Sequence, residues 1–89
     1  MPLPPQAHVY ILASRRNGTL YTGSTTDLSR RLWEHKEKLT PGFTSDYDVT
    51  MLVWYERNDR LIDARHREYK IKKWRREWKL KLIEEMNPE

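Results

Sequence analysis

Tyr10, Tyr21, Arg31, His35 and Glu68 are the side chains of this sequence with the best means of doing chemistry together. A phenol gives up its proton only near pH ~10, and an imidazole changes charge near ~6.5. A guanidinium offers anionic oxygens a planar fork of donors. Arg31 and His35 stand four apart in a segment that reads as a helix, so they share a face. Glu68 falls on the stripe Leu61, Ala64, Glu68, Ile71, whose spacing turns it inward. An inward carboxylate is costly unless it is paired or holds a cation. Plainer readings stand beside these. Each tyrosine can be an aromatic strand residue packed in a core, Arg31 a surface arginine, and Glu68 an ion-pair partner of Arg31 or Lys72.

Positioning these groups takes a hairpin and two helices. Val9-Tyr10-Ile11-Leu12 and Leu20-Tyr21-Thr22-Gly23-Ser24 are β-rich runs joined by Arg15-Arg16-Asn17-Gly18. Asn-Gly favours positive φ at both central turn positions and signals a hairpin. The first strand is expected over His8–Ala13, with Val9, Ile11 and Ala13 on one face and His8, Tyr10 and Leu12 on the other. Both faces are largely apolar, which calls for cover on both sides. The partner runs from Thr19 to Ser24, where Gly23 leaves open ground for a ligand or another backbone.

Thr25 or Thr26 begins a cap, and Asp27 puts a carboxylate at the positive end of the helix dipole. Leu28, Leu32 and His35 form the stripe of a helix ending near Lys38, with Arg31 beside it. Residues 39–48 read as a loop, with turn chemistry at Thr40-Pro41-Gly42 and Ser45-Asp46. Phe43, Thr44 and Ser45 follow that turn as candidates to border a substrate, although Phe43 fits a simple connection better. Val49–Tyr55 is apolar on both faces and predicts a central strand. Asn58 or Asp59 caps the next helix, which splits near Arg76-Glu77-Trp78 and ends at Asn87-Pro88. The expected fold class is α/β: one small domain over residues 8–88, a three-stranded, mainly antiparallel sheet flanked by helices, after a flexible tail of residues 1–7.

A chain of 89 residues has room for one thin core. It contains no cysteine, which excludes disulfides and thiolate metal sites and suits a reducing cytoplasm. No signal peptide is expected from Met1–Pro5, and no stretch is apolar enough to span a membrane. The net charge of +4 is unevenly spread. Between Arg60 and Lys81 the only acids are Asp63, Glu68 and Glu77, amid basic residues that include Arg65, Lys72, Lys73 and Arg76. Such a helix can neutralise nucleic-acid phosphates, or it can be a solvated face. Trp33, Trp54, Trp74 and Trp78 read as packing residues, and His8 and His66 as surface or packing residues. Trp74 and Trp78, beside the basic residues, are the candidates for base stacking.

The ordered set Tyr10, Tyr21, Arg31, His35, Glu68 resembles the GIY-YIG endonuclease superfamily. His8-Val9-Tyr10 is similar to its first motif and Tyr21-Thr22-Gly23 to its second, with His8 in place of glycine and Thr22 in place of isoleucine. The resemblance covers His8 to Pro88 and is greatest to small single-domain members with a Trp- and Lys-rich final helix. It implies a divalent-metal-dependent endonuclease acting on DNA, structure-specific or weakly specific, with a link to repair or recombination. In that reading Glu68 helps hold one Mg²⁺ or Mn²⁺ with water and phosphate oxygens, Arg31 takes the phosphate, and Tyr10 is the general base. His35 then orients Tyr10 or receives its proton, Tyr21 orients water or phosphate, and Asn87 braces the site. The competing readings are a nucleic-acid-binding module that kept the fold without turnover and a domain whose basic helix meets an acidic protein.

Overall fold

The computed structural model describes residues 6–39 and 42–87. Along the chain, strands β1 (Ala7–Ala13) and β2 (Leu20–Thr25) are followed by helices α1 (Leu28–Lys36) and α2 (Phe43–Asp46), strand β3 (Met51–Asn58), and helices α3 (Leu61–Lys72) and α4 (Arg76–Met86). The sheet order is β2-β1-β3, and both pairings are antiparallel. This is the expected three-stranded antiparallel sheet with flanking helices. Among the described residues no helix is long and apolar enough to cross a membrane.

The hairpin forms where Asn-Gly places it, with a different turn. Asn17 alone takes a left-handed φ, 58°. The Gly18 amide donates to the Arg15 carbonyl at 2.9 Å, and the Ser14 amide donates to the Thr19 carbonyl at 3.0 Å. Gly18 is required for space, because a Cβ there would meet Ser14 Oγ and Arg15 Cγ. β1 begins one residue earlier than expected. Ala7 is fully buried and pairs with Asn58, so it belongs to the sheet and not to the tail. The rest of the expected tail up to residue 5, the Thr40-Pro41 part of the turn and Pro88 lie outside the described residues.

Both faces of β1 are covered, as its two-sided apolarity requires. Ala7, Val9 and Ile11 pack with Trp54, Ala64 and Ile71, joined by Leu61, Trp74, Leu82 and Ile83. Tyr10 and Leu12 pack on the other face with Val49, Leu28 and Leu32. The central strand is therefore β1. β3 is an edge strand, contrary to the expectation from its apolar run: among the described residues its one sheet partner is β1, and Met51 and Tyr55 are exposed. A register shift opposite Ile11 and Leu12 leaves Val53 as the extra residue of a bulge.

Helix boundaries follow the local chemistry. Asp27 is itself the cap of α1, accepting the Arg30 amide at 3.1 Å, and Thr25 Oγ1 accepts the Asp27 amide at 3.0 Å. Lys38, with φ 57°, follows the helix in the left-handed region. A short helix, α2, interrupts the expected loop. Neither Asn58 nor Asp59 caps α3, because β3 runs through Asn58; extended Arg60 takes that place without a side-chain cap bond. Asp63 supplies the first-turn carboxylate and pairs with Arg60 at 3.2 Å. The final helix does split, at Lys73–Arg75, where Arg75 is extended. Of the tryptophans only Trp54 is buried, Trp74 is half-buried, and Trp33 and Trp78 are exposed; packing thus describes the first two alone.

Candidate active site

Tyr10 is sealed at the centre of the cluster, 1% exposed, with its hydroxyl 3.1 Å from His35 Nε2. Across the β1–β2 register it faces Gly23. A Cβ on Gly23 would stand 2.5 Å from the Tyr10 hydroxyl and 3.1 Å from Tyr21 Cε2. Glycine is needed here because the chain's own phenol occupies the space that the sequence reading assigned to a ligand or another backbone.

His35 reaches this point because the stripe of α1 turns inward, and it is buried. Its Nδ1 lies 3.1 Å from Thr44 Oγ1 on α2. Tyr21, half-buried on β2, completes a triangle of rings, with centroids 6.4 Å from Tyr10 and 5.6 Å from His35. The Arg31 guanidinium faces the Tyr10 phenol, and its Nη1 lies 3.4 Å from Glu34 Oε1. Arg31 Nε is buried without a hydrogen-bond partner among the described residues.

Burial dominates the protonation of the cluster. It pushes the Tyr10 phenol above its ordinary value; Arg31 opposes that shift, while Tyr21 and Glu68 add to it. It holds His35 below the usual imidazole range, with help from the Arg31 charge and against Glu34. At neutral pH both groups are uncharged, joined by one hydrogen bond.

Glu68 enters from α3, on the other face of the sheet. Ser24 Oγ of β2 donates to its Oε1, and Lys72 Nζ lies 2.6 Å from its Oε2. The same ammonium sits 5.9 Å from the Tyr21 ring centroid. β2 is an edge strand, so α1 and α3 can both reach past it. There a cleft of about 360 Å³ opens between Ser24, Arg30, Arg31 and Glu34 on one side and Leu61 and Arg65 on the other.

Residues 6–81 match the family model of the GIY-YIG catalytic domain. This chain belongs to the GIY-YIG family. That places it in a nuclease family, whose substrates are nucleic acids. The GIY-YIG chain is 35% identical over 78 residues to a UPF0213 protein of Staphylococcus saprophyticus, covering 88% of this chain and 95% of the relative. It is 37% identical to one of Staphylococcus haemolyticus, covering 88% and 94%. Its fold is similar to the solution NMR structure of a UPF0213 protein from Bacillus halodurans, with a TM-score of 0.53 and 31% identity over 88% of this chain and 82% of that one.

In this GIY-YIG domain Tyr10, Tyr21, Arg31, His35 and Glu68 come together, with Arg65 on the adjoining cleft. Lys72, a candidate both for phosphate binding and for pairing with Glu68, is the partner of Glu68. The other basic candidates lie elsewhere. Lys73 sits over the Tyr69 ring at 4.1 Å, and Arg76 donates to the Asn17 and Gly18 carbonyls at 2.9 and 2.6 Å. Asn87 is at the bulge of β3, donating to the Val53 carbonyl at 2.6 Å. Neither Ser24 nor the contact of Thr44 with His35 carries a mark in the sequence pattern.

Among the described residues no group of three or more His, Cys, Asp and Glu side chains is placed to hold a metal. Glu68 and Ser24 supply hard oxygen donors of the kind Mg²⁺ and Mn²⁺ accept, and such ions often complete their shell with water and substrate phosphate. The residues present fit that kind of site once the flexible Lys72 releases the carboxylate.

Proposed function

We propose that this chain is a divalent-metal-dependent endonuclease that hydrolyses DNA phosphodiester bonds. The observation that carries the proposal is the meeting of Tyr10, Tyr21, Arg31, His35 and Glu68 from β1, β2, α1 and α3 at one edge of the sheet. Arg31 binds the non-bridging oxygens of the scissile phosphate, and Arg65 on the same cleft takes a neighbouring one. Tyr10 takes the proton of the attacking water and passes its own to His35. Its raised pKa opposes that role, so the cationic surroundings of a bound substrate must favour the phenolate. Half-buried Tyr21 orients the water or the phosphate. Glu68 would hold the metal, whose charge stabilises the leaving 3′ oxygen when it is bound. A structure-specific role in repair or recombination extends the same reading.

A second reading has its own support. Glu68 already has a counter-ion in Lys72, as it would in a nucleic-acid-binding module without turnover. One variant separates the two. Parent and Glu68→Gln are incubated with branched, single-stranded and duplex DNA in Mg²⁺, Mn²⁺ or chelator. For the nuclease, the parent cuts only with metal. Glu68→Gln then loses more than the roughly 10- to 100-fold given by loss of a residue that merely supports a metal ligand. Its stability shifts by no more than about 1 kcal/mol, since the pair is partly solvated. A parent that binds DNA but cuts none of the three forms establishes the binding module.

A further inference from the structure

We infer that Thr44 is a positioning residue of this site: its hydroxyl accepts the Nδ1 proton of His35 and so holds the imidazole in the tautomer whose bare Nε2 faces the Tyr10 phenol. The functional half of this inference rests on the proposed acid–base pairing of Tyr10 with His35; the structural half does not.

Donor and acceptor inventories set the direction. A protonated phenol needs an acceptor. Arg31, which also faces the phenol, carries only donors, whereas His35 Nε2 stands within hydrogen-bond distance of the hydroxyl at 3.1 Å and can accept. A neutral imidazole has one N–H, so that proton sits on Nδ1. Nδ1 faces Thr44 Oγ1 at 3.1 Å, and a hydroxyl oxygen accepts. Thr44 is held for this role: it is 4% exposed, and its carbonyl accepts the Val49 amide at 2.9 Å where the chain leads into β3. Nine residues separate it from His35, so α1 and α2 must both be in place before the contact exists. With the proton on Nδ1, Nε2 is free to take the phenolic proton. In the opposite tautomer Nε2 carries a proton and cannot.

Thr44→Val keeps the shape and removes the acceptor; Thr44→Ser keeps the hydroxyl. In ¹⁵N-labelled protein the ring-nitrogen shifts of His35 report the tautomer directly. The parent and Thr44→Ser are expected to show one species protonated at Nδ1, and Thr44→Val a mixture or the opposite tautomer. DNA cleavage falls in Thr44→Val, by up to the roughly 10²- to 10⁴-fold that a positioned acid–base group supplies, and returns to within a few-fold of the parent in Thr44→Ser. Melting curves identify a variant that has failed to fold, and Thr44→Ser with the parent spectrum then carries the test. A parent protonated at Nε2, or a folded Thr44→Val with unchanged shifts and unchanged cleavage, overturns the assignment. A parent that cuts no DNA refutes the nuclease reading instead, and the tautomer measurement still decides the role of Thr44.

Discussion

Gly23 shows how tightly single residues are committed here. Its missing side chain is the space in which the Tyr10 phenol lies, and the contact falls on a ring rather than on the end of a flexible chain. Gly23→Ala is expected to cost about 1–3 kcal/mol, as overpacking does, and to push Tyr10 away from His35. Thermal melts and the His35 ring resonances check this; a variant with parental melting and unmoved resonances rejects it. His35 makes stability depend on pH with a definite sign. Its folded-state pKa is lowered, by burial first and then by Arg31, against Glu34. The unfolded chain therefore binds the proton first. The contribution is fully present above about pH 6.5 and is lost as the pH falls below that and through the lower folded-state value. Between roughly pH 7.5 and 5.5 the parent should lose more melting temperature than His35→Gln, which has no proton to gain. Equal losses in the two proteins would remove His35 as the source.

At the scale of elements, α4 works as a brace that keeps the sheet in shape. Arg76 at its start holds the hairpin turn, and Asn87 at its end donates to the bulged Val53 carbonyl. A bulge on an edge strand turns backbone groups out of the ladder, and a side-chain amide is a suitable partner for one of them. Asn87→Ala is expected to cost about 0.5–1.5 kcal/mol, the usual net value of one hydrogen bond, with the rate of DNA cleavage unchanged. Unchanged melting with lost cleavage would return Asn87 to the site. The break between α3 and α4 has a matching cause: half-buried Trp74 joins the core of the first face while Arg76 reaches the turn.

Over the whole molecule the positive charge is divided by task. Arg65 lines the cleft, Lys72 is engaged with Glu68, and Arg76 is engaged with the hairpin. DNA affinity should fall steeply between about 50 and 200 mM salt as phosphate contacts release counterions. Arg65→Ala should weaken binding and lower the slope of log affinity against log salt by about 1. Arg76→Ala should leave that slope unchanged, since its guanidinium is already committed to backbone carbonyls. Affinity titrations at several salt concentrations separate these outcomes. An affinity indifferent to salt points instead to an acidic protein partner.

Periodicity alone determined much of this protein. The alternation of Val9, Tyr10, Ile11 and Leu12 set a strand covered on both faces, and the stripes through Leu32 and Ala64 turned His35 and Glu68 inward, because these are local consequences of backbone geometry. The order Tyr10, Tyr21, Arg31, His35, Glu68 likewise marked the family before any fold was in view. Which strand is central was not local. β1 and β3 are both apolar on two faces, and only the pairing of β1 with both neighbours decides between them. The partners of the site residues were not local either. Ser24 meets Glu68 across 44 positions, and Arg76 meets Gly18 across 58. Contacts at such separations leave no periodic trace in a single chain, because they depend on how helices pack across the sheet. The pair of Glu68 with Lys72 is the exception: four residues apart on one helix, it was legible in the sequence as an ion pair.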